Sequence, residues 1–162
     1  MEITCKINGE EKKLVFEPHE KLLHVLRREG YFGVKDGCST GECGVCTVLV
    51  DGRPVKSCLM FAAQAKGKEI LTIEGLGSDD SPHLIQLAFS DAGAVQCGFC
   101  TPAMVLSAKA LIDSNPDPSE DDIRKALDGV LCRCTGYMKI IDAVKLAARR
   151  TLEKAEREAE YE

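Results

Sequence analysis

Eight of the nine cysteines in this 162-residue chain fall into two groups of four, and each group lies within its own half of the sequence. The first is Cys38-x4-Cys43-x2-Cys46-x11-Cys58, the second Cys97-x2-Cys100-x31-Cys132-x-Cys134. A thiolate is a nucleophile, a redox group and a soft metal ligand, and the last two roles call for several at fixed spacing. The N-terminus Met-Glu-Ile-Thr-Cys-Lys lacks the basic and apolar regions of an export signal, so a cytoplasmic location is expected. Structural disulfides are rare in a reducing compartment, which points these sets toward metal or redox chemistry.

The first three spacings of the first group match the plant-type [2Fe–2S] run. A loop around a two-iron, two-sulfide core must deliver three thiolates from one short segment, and Gly37, Gly41 and Gly44 let its backbone turn and approach the sulfurs. The fourth, Cys58, arrives from a strand pair beyond the Asp51-Gly52 turn. Such a cluster carries excess negative charge, so backbone N–H groups aimed at its sulfurs raise its potential. A zinc site is the alternative, but zinc ligands usually come in two closely spaced pairs, which a tight triple followed by a lone cysteine fits poorly.

The second group is less specific alone, since paired cysteines also build four-thiolate zinc sites. Its Cys-x-Cys half brings two ligands unusually close, which suits thiolates on one iron of a compact cluster. A helix starting at Pro102 would turn its positive N-terminal end toward the site, and so would a helix after Cys134. A thioredoxin-like reading of Cys97 and Cys100 lacks the βαβ pattern it needs. Cys5 reads as a small buried hydrophobe on the first strand. His19, His24 and His83 fit neither group, a Rieske centre would need two histidine ligands, and no catalytic constellation is readable.

The elements that must position these thiols follow from periodicity. Strands are expected over Ile3 to Ile7 and Lys13 to Phe16 around an Asn8-Gly9 hairpin, and over Thr47 to Val50 and Pro54 to Ser57 around Asp51-Gly52. Leu22, Leu23, Val25 and Leu26 mark a short helix ended by Gly30. Leu59 to Ala65 reads as helical and Glu69 to Ile73 as a closing strand. The stretch Gly75 to Ser81, including Asp79, is the best linker. Four helices follow, over His83 to Asp91, Pro102 to Asp113, Glu120 to Leu127 and Ile140 to Ala159. Thr101-Pro102 supplies a cap and a first-turn proline, and Ser119 with Asp122 forms a capping box. The run Lys154 to Glu160 reads as a solvated, fraying helix end. The expectation is a mixed β domain followed by four helices.

Composition excludes other classes. Acids outnumber bases 26 to 21, with no basic stripe for phosphate, so nucleic acid is not an expected partner. No run of eighteen apolar residues offers a membrane span. Trp is absent and aromatics are few, so aliphatic side chains must build the core unless something inorganic fills part of it.

Three segments together carry a family resemblance: Gly37-Cys38-Ser39-Thr40-Gly41-Glu42-Cys43-Gly44-Val45-Cys46-Thr47, Gln96-Cys97-Gly98-Phe99-Cys100-Thr101-Pro102, and Cys132-Arg133-Cys134-Thr135-Gly136-Tyr137. From about Ile3 to about Arg150 the chain resembles the xanthine dehydrogenase family of molybdenum hydroxylases, in its separate small iron–sulfur subunit form. The resemblance implies an α+β fold. An N-terminal β-grasp, plant-type ferredoxin-like domain (1–76) would precede a C-terminal four-helix [2Fe–2S]-binding domain (77–162).

The resemblance further implies two [2Fe–2S] clusters, a molybdopterin-binding large subunit, an FAD-binding medium subunit and a dimer of heterotrimers. Electrons would pass from the molybdenum centre through the cluster of Cys97, Cys100, Cys132 and Cys134, then that of Cys38, Cys43, Cys46 and Cys58, to FAD. Gln96 and Cys134 would lie against the pterin. Relatives commonly have glycine after Thr-Pro, whereas this chain has Ala103, whose methyl group would lie near the cofactor side. A free-standing two-cluster ferredoxin is the main alternative, but a mere carrier has no evident need for the second, pterin-docking set.

Overall fold

The computed structural model describes residues 1–78 and 80–159, so Asp79 of the expected linker and Glu160 of the expected tail lie outside the described residues. Strand β1 (Glu2–Ile7) turns Ile3, Cys5 and Ile7 inward and its other side chains outward, as period-two geometry requires. Asn8 and Gly9, at φ 54° and 84°, turn it into β2 (Glu10–Val15). Two left-handed residues in succession give the primed turn whose twist suits an antiparallel pair. Asp51 and Gly52 repeat this device between β3 (Thr47–Val50) and β4 (Arg53–Lys56).

Strand β5 (Glu69–Leu71) pairs parallel with β1 and antiparallel with β3, giving the sheet order β2-β1-β5-β3-β4. Helix α1 (Leu22–Arg28) buries Leu22, Leu23, Val25 and Leu26 completely in a core with Ile3, Ile7, Leu14, Val48 and Ile70. A five-stranded mixed sheet grasping one helix is the expected ferredoxin-like architecture. The side chains of both turns tie the sheet together. Asp51 accepts from the Glu69 amide (3.0 Å) and from Lys68 (2.7 Å), while Asn8 accepts from the Thr72 amide (2.9 Å).

The second half contains α2 (Leu84–Asp91), α3 (Thr101–Ser114), α4 (Glu120–Leu127) and α5 (Met138–Ala159). Helix α2 lies along α5 and α3 against α4, around Ile85, Phe89, Met104, Ile123, Ile140 and Val144. The two halves are not merely tethered. Strand β3 is buried at every position, with Val48 and Val50 in the core that α1 shares and α3 packed against the strand, and Val45 and Leu76 sit in the helical core.

Several local expectations change. The expected Leu59 to Ala65 helix is only a 3-10 turn at Ala62–Ala65, since Phe61 is extended and bridges Lys21. The closing strand stops at Leu71, because the Asn8 side chain takes the next amide, and a 3-10 turn (Ile73–Gly75) follows. Helix α3 begins at Thr101 itself with Cys100 as its cap, so Thr101 is helical rather than capping, with Pro102 in the first turn. The Ser119–Asp122 box forms as expected, each side chain accepting from the other's amide. Sequence alone did not show that His83 caps α2, its Nδ1 accepting from the Ile85 amide at 3.3 Å.

Candidate metal centres

The first thiol set sits on the loop between α1 and β3 and at the end of β4. Cys38 lies where chain reversal brings two amides onto its sulfur, from Cys43 (3.4 Å) and Thr40 (3.5 Å). The Cys43 amide and Thr40 lower this half-buried thiol to about 6, which favours the thiolate form that binds metal. Cys46 and Cys58 are buried neighbours, both free thiols, and Ser57 fixes the Cys46 carbonyl through its hydroxyl (2.7 Å). Burial, then Cys46, pushes the Cys58 thiol up to about 11, opposed by the Gly41 amide aimed at its sulfur. The set therefore comes together as two pairs, Cys38 with Cys43 and Cys46 with Cys58.

The second set also forms two pairs, but not those the spacing suggested. Cys134 lies 3.5 Å from Cys97, sulfur to sulfur, and Cys132 is the thiol that neighbours Cys100. The Cys-x-Cys residues are thus split between pairs, each partnered by a thiol of the segment that leads into α3. Burial pushes the Cys100 thiol up to about 12. Burial also raises Cys132, but the Thr135 hydroxyl (3.1 Å) and nearby amides outweigh it and bring that thiol down to about 7. Cys97 and Cys134 are exposed. Among the described residues no three or more His, Cys, Asp or Glu side chains converge on a single ion-sized point, and the thiols meet two by two.

All four thiols of the second set line one cavity of about 620 Å³, which Cys43 and Gly37 of the first set also reach. Cys100 and Tyr137, the residues immediately before α3 and α5, both line it, so both helix N-termini meet this site as the sequence suggested. Gln96 is exposed beside Cys97, whereas Ala103 is wholly buried in the helical core.

Three contacts at the site were not foreseen from sequence. Tyr137 holds a left-handed φ of 68°, unusual for a bulky residue, and its hydroxyl accepts from the Cys132 amide (2.9 Å) while donating to the Val130 carbonyl (3.4 Å). The Leu131 amide donates to the Cys43 carbonyl across the two sets. Gly44 approaches so closely that a Cβ there would lie 1.8 Å from the Gly129 carbonyl oxygen. A family signal was present in sequence for Gly44, inside the first cysteine run, and for Tyr137, which ends the third segment of the resemblance.

Fold and thiols together define a two-domain iron–sulfur protein. Residues 5–72 match the 2Fe-2S iron-sulfur cluster binding domain family, and residues 72–145 match the [2Fe-2S] binding domain family. The chain is 52% identical over 149 residues to the nicotinate dehydrogenase small FeS subunit of Eubacterium barkeri, covering 91% of this chain and 95% of that protein. It is 45% identical to the xanthine dehydrogenase iron-sulfur-binding subunit of Escherichia coli O157:H7, covering 88% and 91%. Among solved structures, quinoline 2-oxidoreductase from Pseudomonas putida 86 superposes with a TM-score of 0.87 at 44% identity, covering 93% of this chain and 96% of that one. The aldehyde oxidoreductase of Desulfovibrio gigas gives 0.91 at 40% identity, with this chain matching only 17% of it. The chain belongs to the small iron–sulfur subunits of the xanthine dehydrogenase family of molybdenum hydroxylases, and so is part of an oxidoreductase complex.

Proposed function

We propose that this subunit relays electrons between a molybdopterin centre on a large subunit and FAD on a medium subunit, within a dimer of heterotrimers in the cytoplasm. Two domains, 1–76 and 77–162, would each hold one [2Fe–2S] cluster. Cys38, Cys43, Cys46 and Cys58 would hold the first, and Cys97, Cys100, Cys132 and Cys134 the second. The observation that carries this reading is the pairing of thiols in both sets, since a two-iron cluster takes two thiolates on each iron whereas zinc takes four on one ion.

Bound there, the clusters would supply single-electron steps. The chain's own residues would do the rest: amides of Thr40, Cys43 and Gly41 face sulfurs of the first set, and the Thr135 hydroxyl faces Cys132 in the second. Gln96 and Cys134, both exposed, would meet the pterin. Around them Val95, Phe99, Leu131 and Met138 are exposed large apolar side chains, as a surface made for a partner subunit requires. No helix of the described residues is long and apolar enough to cross a membrane.

The test is iron and acid-labile sulfide per chain, with EPR of the dithionite-reduced protein and whatever subunits copurify. The expected result is about four irons and four sulfides with two distinct [2Fe–2S] signals. Zinc without iron overturns the reading.

A further inference from the structure

Lys56, on β4 two residues before Cys58, reaches back over the first thiol loop and donates its ammonium to the Gly41 carbonyl at 2.7 Å. Gly41 is the residue whose own amide faces the Cys58 sulfur. From the other side Leu59 closes on Gly41 so tightly that a Cβ there would sit 2.6 Å from Leu59 Cδ1. Gly41 is therefore held at its carbonyl by Lys56 and covered by Leu59, while its N–H, in the preceding peptide unit, faces a thiol.

The charge on Lys56 is not spent elsewhere. Among the described residues no carboxylate pairs with it. The loop's own acids are held by neighbouring hydroxyls instead, Asp36 by Ser39 at 2.6 Å and Glu42 by Thr40 at 2.8 Å. Lys56 is the only cationic side chain among the described residues that hydrogen-bonds to the loop 37–46. Its half-buried position reduces screening of that charge by solvent.

Resting on the relay reading above, we infer that Lys56 is a positioning residue that sets the reduction potential of the first centre, holding the Gly41 amide on Cys58 and placing a positive charge beside the thiolates. Net charge and hydrogen bonds to sulfur are both known levers on such potentials, and both raise them here. Lys56 thereby biases the first centre toward accepting an electron from the second.

The test is a redox titration of both EPR signals in the intact complex carrying Lys56→Met, Lys56→Gln or Lys56→Arg, with the first centre's signal assigned through Cys58→Ser. Lys56→Met is expected to lower the first centre's potential by about tenfold in its reduced-to-oxidised ratio, about 59 mV for a one-electron couple. The second centre stays unmoved, Lys56→Arg stays near the unmodified protein, and Lys56→Gln, an uncharged donor, falls between. Should Lys56→Met shed iron, the Gln and Arg pair carries the comparison. Two signals that both stay in place, or that move together, overturn the inference while leaving the relay intact. Absence of two [2Fe–2S] signals in the unmodified protein overturns the relay and this inference with it.

Discussion

The amide of Leu131 donates to the carbonyl of Cys43 at 2.8 Å, joining the residue next to one thiol of the second set directly to a thiol-bearing residue of the first. This bond runs beside the contact between Gly44 and Gly129, so two neighbouring points weld the cysteine loop of the sheet half to the turn after α4. Relative placement of the two thiol sets is thus fixed by main chain rather than by flexible side chains.

Gly44→Ala should break that weld. A methyl would enter the Gly129 carbonyl, and φ at Gly44 is 68°, so neither side chain rotation nor a small backbone shift relieves it. The expected loss is about 2–4 kcal/mol of unfolding free energy, read from denaturant midpoints. Gly52→Ala, at a turn with open space around it, should cost about 1–2 kcal/mol, from its positive φ alone.

Tyr137→Phe removes one hydroxyl and leaves the Cys132 amide without its acceptor. The expected cost is about 1–3 kcal/mol, with faster loss of iron from the second set alone under a chelator, followed by visible absorbance and EPR. Equal loss from both sets would show that Tyr137 acts on global stability only.

Cys134→Ser should abolish or alter one [2Fe–2S] signal and leave the other in place, because the two sets share no thiol. Loss of both signals in a protein that still folds by circular dichroism would contradict two separate centres.

Glu120 ties α4 to α5 through Lys145 and bonds Arg124 within α4 (2.6 Å each), and these partners, Lys145 first, hold its carboxyl down to about 2 from the ordinary 4.5. A carboxyl with a lowered folded pKa adds stability that is full above its unfolded value and lost as pH falls through the folded one. The gap in melting temperature between the native chain and Glu120→Gln should therefore be greatest above pH 4.5 and close progressively toward pH 2. A gap independent of pH would rule the ion pairs out as its source.

Much of this was legible in the sequence because the responsible signals are local. Asn8-Gly9 and Asp51-Gly52 announce their turns through conformations few other dipeptides tolerate, and Ser119 with Asp122 announces a helix start. The thiol spacings announced two sets of four. What remained hidden depends on contacts distant in sequence. Leu59 reads as one more apolar residue of a helix, yet it leaves that pattern to cover Gly41. Adjacency misled for Cys132 and Cys134, since their partners lie across the cavity on the segment before α3. Tyr137 and Lys56 carry no sequence signal for their bonds, which exist only once the loops are folded against them.

The crossed pairing in the second half also bears on how this chain is made. Cys97 and Cys134 stand 37 residues apart, with α3 and α4 wholly between them. Anything inorganic that spans a pair closes a ring around two helices and removes loop entropy worth about 3–5 kcal/mol from the unfolded chain. A nascent chain halted after α4 owns only half of each pair, so the staple cannot be set until the 132–137 loop has emerged. A group bound there would in this sense act as a check on synthesis, open only to a chain that has delivered both arms of the helical half.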